Sequence, residues 1–359
     1  MTPEFWRDRR VLISGHTGFK GAWLALWLNR LGAKVHGLAL DPPTEPNLFE
    51  AARVGECLAS DIRADIRDLK LVQEAFRSTE PEIVFHLAAQ SLVHSSYRDP
   101  VGTYASNVMG TVHVLEAVRT CPTVRAIVMV TTDKCYQNQE WVWGYREIEP
   151  MGGYDPYSNS KGCAELAISA YRSSYFNVRS FAEHRVALAS ARAGNVIGGG
   201  DWAPDRLVPD FFRAILMNQE LRVRSPHAIR PWQHALEPLS GYIALAERLI
   251  IDGPAFAQAW NFGPHDNDAK PVAWLAEELV RLWGDGARWC LDENPYPHEA
   301  HYLKLDISKA QARLHWSPRW SLGRALEQTV AWYRAWSKAG DMREVSLNQI
   351  ASYEKGTEV

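Results

Sequence analysis

The residues of this chain best placed to move a proton are a tyrosine and a lysine four positions apart, in Tyr157-Ser-Asn-Ser-Lys161. On a helix, side chains at i and i+4 stand on one face. A lysine ammonium beside a phenol favours the phenolate and draws the phenol pKa down toward the working range. That is what a general base needs when it takes the proton of an alcohol whose hydride is leaving. The hydride acceptor has its own site upstream. Gly15-His-Thr-Gly18-Phe-Lys-Gly21 follows the apolar string Arg10-Val-Leu-Ile-Ser14 and opens the amphipathic stretch Phe19–Leu31. A glycine-rich turn between strand and helix offers backbone amides to a pyrophosphate at the helix start. Gly15, Thr17, Gly18, Phe19 and Gly21 are therefore candidate dinucleotide ligands. Lys20 opposes the helix dipole in that first turn. It either faces a phosphate, of cofactor or substrate, or is simply solvated.

Further candidates fall where other strands should end. Asp41 closes the second apolar run, 23 positions after Gly18. An acid there accepts a hydrogen bond from the adenosine ribose and repels a 2′-phosphate, which favours NAD over NADP; the plainer reading is a turn aspartate before two prolines. Asp65-Ile66 lies where a third strand–helix turn would meet the adenine. Leu87-Ala88-Ala89-Gln90 follows a fourth strand with small residues that let backbone approach the cofactor. Thr131-Thr132-Asp133-Lys134 follows a fifth, and the carboxyl ends of strands are where open α/β sheets bind ligands. Trp141-Val-Trp-Gly-Tyr145 crowds aromatics into one loop, as core or as a wall against a ligand. Arg206, Arg230 and His234 are candidates for a diphosphate and a base, since a guanidinium binds phosphate oxygens bidentately. His298-Glu-Ala-His301 has a metal-like spacing but no third ligand, so no metal site is expected.

These candidates require a scaffold of alternating strands and helices. The expected strands are Arg10–Ser14, Lys34–Leu40, Ile83–Leu87, Ala126–Thr131 and Val186–Ala193, and the expected helices are Phe19–Leu31, Val101–Arg119 and Tyr157–Tyr175. Such alternation predicts a doubly wound parallel α/β sheet of Rossmann type. After Gly194 the chain turns irregular and proline-interrupted, which predicts a smaller α/β substrate-binding lobe with a strand-like Tyr302–Leu305. Ala235–Leu249 and Ala259–Phe262 read as a helix and a buried strand returning to the first lobe. The expected division is 1–190 with about 235–262 for the dinucleotide, and about 191–234 with 263–359 for the second ligand.

Composition narrows the function. With 359 residues, 46% of them hydrophobic and 23% charged, the chain can bury two lobes. A net charge of −3 argues against an electrostatic nucleic-acid binder. No apolar run approaches the roughly 18 residues of a membrane span, and no signal-peptide core follows Met1. The five cysteines are scattered without metal spacing and read as reduced thiols of a cytoplasmic protein. Most of the 15 tryptophans should be core.

The chain resembles the extended short-chain dehydrogenase/reductase superfamily over essentially its whole length. Within it, the chain is similar to the sugar-nucleotide 4,6-dehydratases, and its longest strings are those of the branch acting on CDP-glucose. These strings are Gly15-His-Thr-Gly-Phe-Lys-Gly21, Thr132-Asp-Lys-Cys-Tyr136, Trp141-Val-Trp-Gly-Tyr145, Gly152 to Lys161, Arg192 to Trp202 and Ile229-Arg-Pro-Trp-Gln-His234. The resemblance implies a redox-neutral hydro-lyase with NAD as cofactor and CDP-glucose as substrate. The 4-hydroxyl is oxidised, water leaves across C5 and C6, and the hydride returns to C6. Tyr157 would take the 4-hydroxyl proton, Thr132 would orient that oxygen, and Lys161 would hold the nicotinamide ribose. Asp133 would be the acid for the departing 6-hydroxyl. Asn107 would join the cofactor ligands; Asn195 and Arg230 would hold the substrate diphosphate, with Lys20, Arg206, His234, His301 and Tyr302 around the sugar nucleotide. The dTDP-glucose branch has a glutamate after the aspartate as the C5 base. Here that position is Lys134, which leaves the C5 base open. The resemblance also implies a homodimer or homotetramer through helices Val101–Arg119 and Tyr157–Tyr175. A 4-epimerase or another dehydratase of the superfamily is the nearest alternative, and a non-catalytic dinucleotide sensor is one of another class.

Overall fold

The computed structural model describes residues 2–294 and 302–356. Its centre is a parallel seven-stranded sheet built from β1 (Arg10–Ser14), β2 (Lys34–Ala39), β3 (Ser60–Arg63), β4 (Ile83–His86), β5 (Ala126–Val130), β6 (Ala187–Ala193) and β7 (Ala259–Phe262). The spatial order is β7-β6-β5-β4-β1-β2-β3. Side chains alternate between the faces of a strand. Accordingly Val11 and Ile13 of β1 enter one core and Leu12 the other. β4 and β5 are buried along their whole length, as central strands covered on both faces must be. The strand order reverses between β1 and β4, and a crevice opens there at the carboxyl ends.

The longer helices include α1 (Phe19–Arg30), α2 (Leu69–Thr79), α3 (Gly110–Thr120), α4 (Pro156–Ser174), α5 (Leu236–Ile251), α6 (Leu322–Ser337) and α7 (Met342–Lys355), of which α1 and α4 line the crevice. α1 is buried from Gly21 to Leu28, because α7 covers the side that would otherwise meet solvent. The Trp27 indole donates to Glu354 at 2.8 Å, and its ring meets Tyr353 edge-on with 5.5 Å between centroids. Trp23, Trp27, Trp202, Trp232, Trp316, Trp320 and Trp332 all belong to one continuous core beneath the second lobe. The many tryptophans are thus mostly structural.

The structure departs from the sequence reading in two places. The helix expected over Val101–Arg119 is interrupted. A first turn, Pro100–Tyr104, passes through a wide π turn at Ala105–Met109 before α3 begins. Such turns put one extra residue into the helix and often mark a functional position; here it carries Asn107. Tyr302–Leu305 is not a strand. Tyr302 pairs only with Ile229 and Leu305 only with Tyr145, as single bridges. Among the described residues after Gly194 there are three short two-stranded pairs: Val196–Ile197 with Gln233–His234, Ile229–Pro231 with Ala269–Pro271, and Leu221–Val223 with Trp289–Leu291.

Candidate active site

The crevice encloses about 840 Å³ and runs from the start of α1 to the second lobe. Its floor is the glycine turn. Gly15 has a φ of +81°, which a side chain would strain. A Cβ there would stand 2.6 Å from the Ala88 amide nitrogen, and one on Gly21 only 2.1 Å from the Gly15 carbonyl. Both positions exclude side chains, so the turn lies flat against β4 and α1. Gly18 is the N-cap of α1 and offers no side-chain acceptor to the amides that follow. Those amides line the crevice with Thr17, Phe19 and Lys20. This cradle fits a pyrophosphate. The Lys20 ammonium is pulled down to about 8, first by burial and then by Lys161 and Arg206, against Asp133 and Asp201.

The structure brings Asp41, Asp65, Ile66, Leu87, Ala88, Ala89 and Gln90 to the same crevice. Asp41 is at the rim, its carboxylate 3.6 Å from the Arg63 guanidinium and largely exposed. Asp65 is held by Arg67, whose Nε and Nη2 donate at 2.9 and 2.6 Å. Asn107 is not on the crevice wall. It lies behind it, where Oδ1 accepts from the Gln90 amide and Nδ2 donates to the Gln90 carbonyl, both at 2.9 Å. The π turn therefore makes Asn107 a support for the loop after β4.

The proton-transfer groups converge where β5 ends. Asp155 caps α4, its Oδ1 accepting from the Ser158 amide at 2.9 Å, with Pro156 in the first turn. This puts Tyr157 in that turn, facing the crevice with Thr132, Asp133 and Lys134. Thr132 donates to Asp133 Oδ1 at 2.9 Å. Asp133 Oδ2 is buried and has no hydrogen-bond partner. Burial pushes the Asp133 carboxyl up, opposed by Lys134, the Thr132 hydroxyl and Arg230. A carboxyl shifted in that direction is better suited to give up a proton than an ordinary, ionised one.

One detail of the sequence reading needs correction. The Tyr157 phenol is not drawn down toward the working range. Burial pushes that phenol up to about 12, and the moderating groups are the Thr132 hydroxyl and Arg206. Lys161 itself is buried behind the wall, drawn down to about 8 by desolvation and held up mainly by Glu165. Lys134 is half-buried on the crevice wall, and its charge acts on Asp133.

From the part of the chain after β6, Asn195, Arg206 and Arg230 reach the crevice. Arg206 donates to Asp201 at 2.9 Å and to the Ser91 hydroxyl at 3.2 Å, joining the lobe to the loop after β4. Arg224 makes a second bridge, to His94 at 3.2 Å. His234 does not reach the crevice. It is fully buried between Trp23 and Trp320, with ring centroids at 6.0 and 5.0 Å, because Gln233–His234 is a strand of the core. Tyr302 is also off the crevice wall; its carbonyl accepts from Asn138 at 3.0 Å. His298 and His301 lie outside the described residues. Trp141 and Tyr145 do not form a wall either: they stack with Tyr136 in a small separate core. The sequence reading missed Asp201, Trp202, Arg224 and Trp232, all on the crevice. The strings Arg192 to Trp202 and Ile229 to His234 contain Asp201, Trp202 and Trp232, and Arg224 falls in neither.

A family model described as GDP-mannose 4,6 dehydratase matches residues 12–329. The chain belongs to this family. It is 56% identical over 354 residues to the CDP-glucose 4,6-dehydratase of Salmonella typhimurium, covering 99% of this chain and 98% of that one. Among solved structures it is similar to an epimerase of Methanothermobacter thermautotrophicus, with a TM-score of 0.79, 21% identity, and 94% and 96% of the two chains covered. It is also similar to dTDP-glucose 4,6-dehydratase of Bacillus anthracis in complex with NAD, with a TM-score of 0.75, 20% identity, and 94% and 100% covered. At these identities the structures speak for the dehydratase family's fold, which epimerases share. The residues at the end of β5 must tell the two chemistries apart.

Proposed function

We propose that the chain converts CDP-glucose to CDP-4-keto-6-deoxyglucose with loss of water, with NAD held throughout. The observation that carries this reading is Asp133. A crevice-lining carboxyl whose burial favours the protonated form, with one oxygen unpartnered and Thr132 and Tyr157 beside it, is what departure of a hydroxyl requires. A 4-epimerase has no use for such an acid. The nucleotide is supported by the 56% identity to the Salmonella relative.

Gly15, Thr17, Gly18, Phe19 and Gly21 would hold the NAD pyrophosphate, Asp41, Asp65 and Ile66 the adenosine, and Leu87 to Gln90 the remainder. The chemistry NAD supplies when bound is hydride acceptance and its later return, which makes the conversion redox-neutral. The chain's own residues move the protons. Thr132 orients the substrate 4-hydroxyl, and Tyr157 takes its proton. The ketone acidifies the hydrogen at C5, and Asp133 gives its proton to the departing 6-hydroxyl. Lys134 stands on the wall beside Asp133, in position to take the C5 proton or assist its loss. Lys20, Asn195, Arg206 and Arg230 supply donors and positive charge for the substrate diphosphate.

We place the protein in the cytoplasm as a homodimer or homotetramer. No helix among the described residues is long and apolar enough to cross a membrane. The five cysteines are unpaired, in keeping with a reducing compartment. Val101 and Leu166, 78% and 60% exposed, sit on the helices expected to pair between subunits. The division we favour is 1–190 with about 235–262 for the dinucleotide and about 191–234 with 263–359 for the sugar nucleotide; β7 adding to the sheet beside β6 supports it. The test offers purified protein CDP-, dTDP-, UDP- and GDP-glucose with no added reductant and reads 4-keto-sugar absorbance in alkali. CDP-glucose should be the preferred substrate, and deuterium at its C4 should appear at C6. A C4-inverted hexose with no keto product would make the chain an epimerase.

A further inference from the structure

Glu165 stands one turn beyond Lys161 and continues the α4 face that carries Tyr157 and Lys161. It does not touch the crevice, and no step above uses it. Its side chain is nonetheless fully engaged while only 4% of the residue is exposed. Oε1 accepts from the Thr131 hydroxyl at 2.5 Å. Oε2 accepts from the Ser190 hydroxyl at 2.9 Å and the Arg192 guanidinium at 2.7 Å. Arg192, on β6, also donates to the Tyr136 hydroxyl at 2.7 Å, and that hydroxyl donates to Asn261 on β7 at 2.7 Å. One carboxylate thus ties α4 to the ends of β5 and β6 and, through Arg192 and Tyr136, to β7. Thr131 immediately precedes Thr132 and Asp133.

A buried ion pair is a poor device for stability, because desolvation offsets its attraction and an apolar pair of like volume does as well or better. Its place beneath the proton-transfer groups points to another use. The groups that face Lys161 can be named. From its own helix come Glu165 and Tyr157. From the turn after β5 comes the Cys135 thiol, from β4 His86, which burial holds neutral, and from α1 the Lys20 ammonium. Glu165 is the carboxylate among them. Without it, Lys161 and Arg192 would be two buried cations with no anion between them.

We propose that Glu165 is a positioning residue with two effects: it places a carboxylate one turn from Lys161 on the same buried face of α4, and its bond to Thr131 fixes the Thr132–Asp133 turn against Tyr157. This rests on the assignment of those residues as the proton-transfer machinery. An opposite charge within a few ångströms is worth about 1–3 pKa units. Glu165→Gln should therefore move the alkaline limb of turnover down by about 1–2 pH units. NAD binding, followed by tryptophan fluorescence, should lose affinity at the same shifted limb. Glu165→Asp should bring the limb back, since the charge returns. Thr131→Val should lower kcat with KM and the limb unchanged, because it removes the tie and leaves the charge. A folded Glu165→Gln protein with the wild-type limb overturns the charge effect, and so does Glu165→Asp shifted as far as Glu165→Gln. Wild-type kcat in Thr131→Val overturns the tie. Should Glu165→Gln not fold, Glu165→Gln combined with Arg192→Met removes one of the two buried cations along with the carboxylate and is expected to show the same shifted limb; an unshifted limb there overturns the proposal. The binding titration needs no sugar. If the wild type does not turn over CDP-glucose, the substrate reading fails while the limb in NAD binding still judges Glu165.

Discussion

Replacing Asp133 by asparagine should separate catalysis from stability. The side chain keeps its shape, and the amide oxygen can still accept the Thr132 hydroxyl now bound at 2.9 Å. What disappears is a proton that can be given to a leaving oxygen. A positioned acid contributes about 10²- to 10⁴-fold. At about 1.36 kcal/mol per decade this is about 2.7–5.4 kcal/mol of barrier. Stability should move the other way. The folded-state pKa of Asp133 lies above its unfolded value, chiefly because of burial. A carboxyl of that kind favours the fold fully only below its unfolded pKa, and that contribution is lost as pH rises through the folded pKa. At neutral pH the asparagine removes the loss, so the variant should melt at or above the wild type. The pH profile gives a third reading. Turnover needs Asp133 protonated, so the wild type should lose activity as pH rises through the pKa of Asp133, and this limb should vanish in Asp133→Asn. The assay is initial rate of 4-keto-sugar formation across pH, with thermal unfolding of the same samples. Turnover within about threefold of wild type, well short of the range above, would refute the acid role.

Tyr157→Phe should cost about 10²- to 10⁴-fold in turnover while the fold and NAD binding persist, because it removes one hydroxyl and little packing; near wild-type turnover would take Tyr157 out of the mechanism. Lys134→Ala should still oxidise C4, while exchange of the C5 hydrogen with solvent, followed by NMR, stops. Elimination at the normal rate in that variant would leave Lys134 only an electrostatic partner of Asp133. Gly21→Ala puts a Cβ 2.1 Å from the Gly15 carbonyl, a backbone atom that cannot swing aside. It should destabilise by about 1–3 kcal/mol and weaken NAD binding at least tenfold, read by chemical denaturation and fluorescence titration; an unchanged affinity would mean the turn does not hold the cofactor.

Much of the scaffold was legible because its signals are local. A run such as Ala126–Val130 is apolar throughout, so it must be a central strand. The spacing of Tyr157 and Lys161 places both on one helix face whatever surrounds them. The glycine turn announces itself because Gly15 and Gly21 occupy positions that backbone atoms 2.1–2.6 Å away close to any side chain. The site was less legible where a residue's neighbours come from distant sequence. His234 looks like a ligand in its string, yet two tryptophans, one from α1 and one from the segment before α6, bury it. Asn107 looked like a cofactor ligand but supports the loop after β4.

By itself the sequence determined the order of strands and helices, the cradle at the start of α1, and the groups available for proton transfer at the end of β5 and the start of α4. Those follow from periodicity and short-range spacing, which act within a few residues. Only the tertiary structure decided the charge states. Whether Asp133 keeps its proton, whether Tyr157 is raised or lowered, and which carboxylate faces Lys161 depend on desolvation and on partners brought from elsewhere in the chain. Burial is a property of the folded whole, and Coulomb forces in a dry interior reach across elements that the sequence sets far apart.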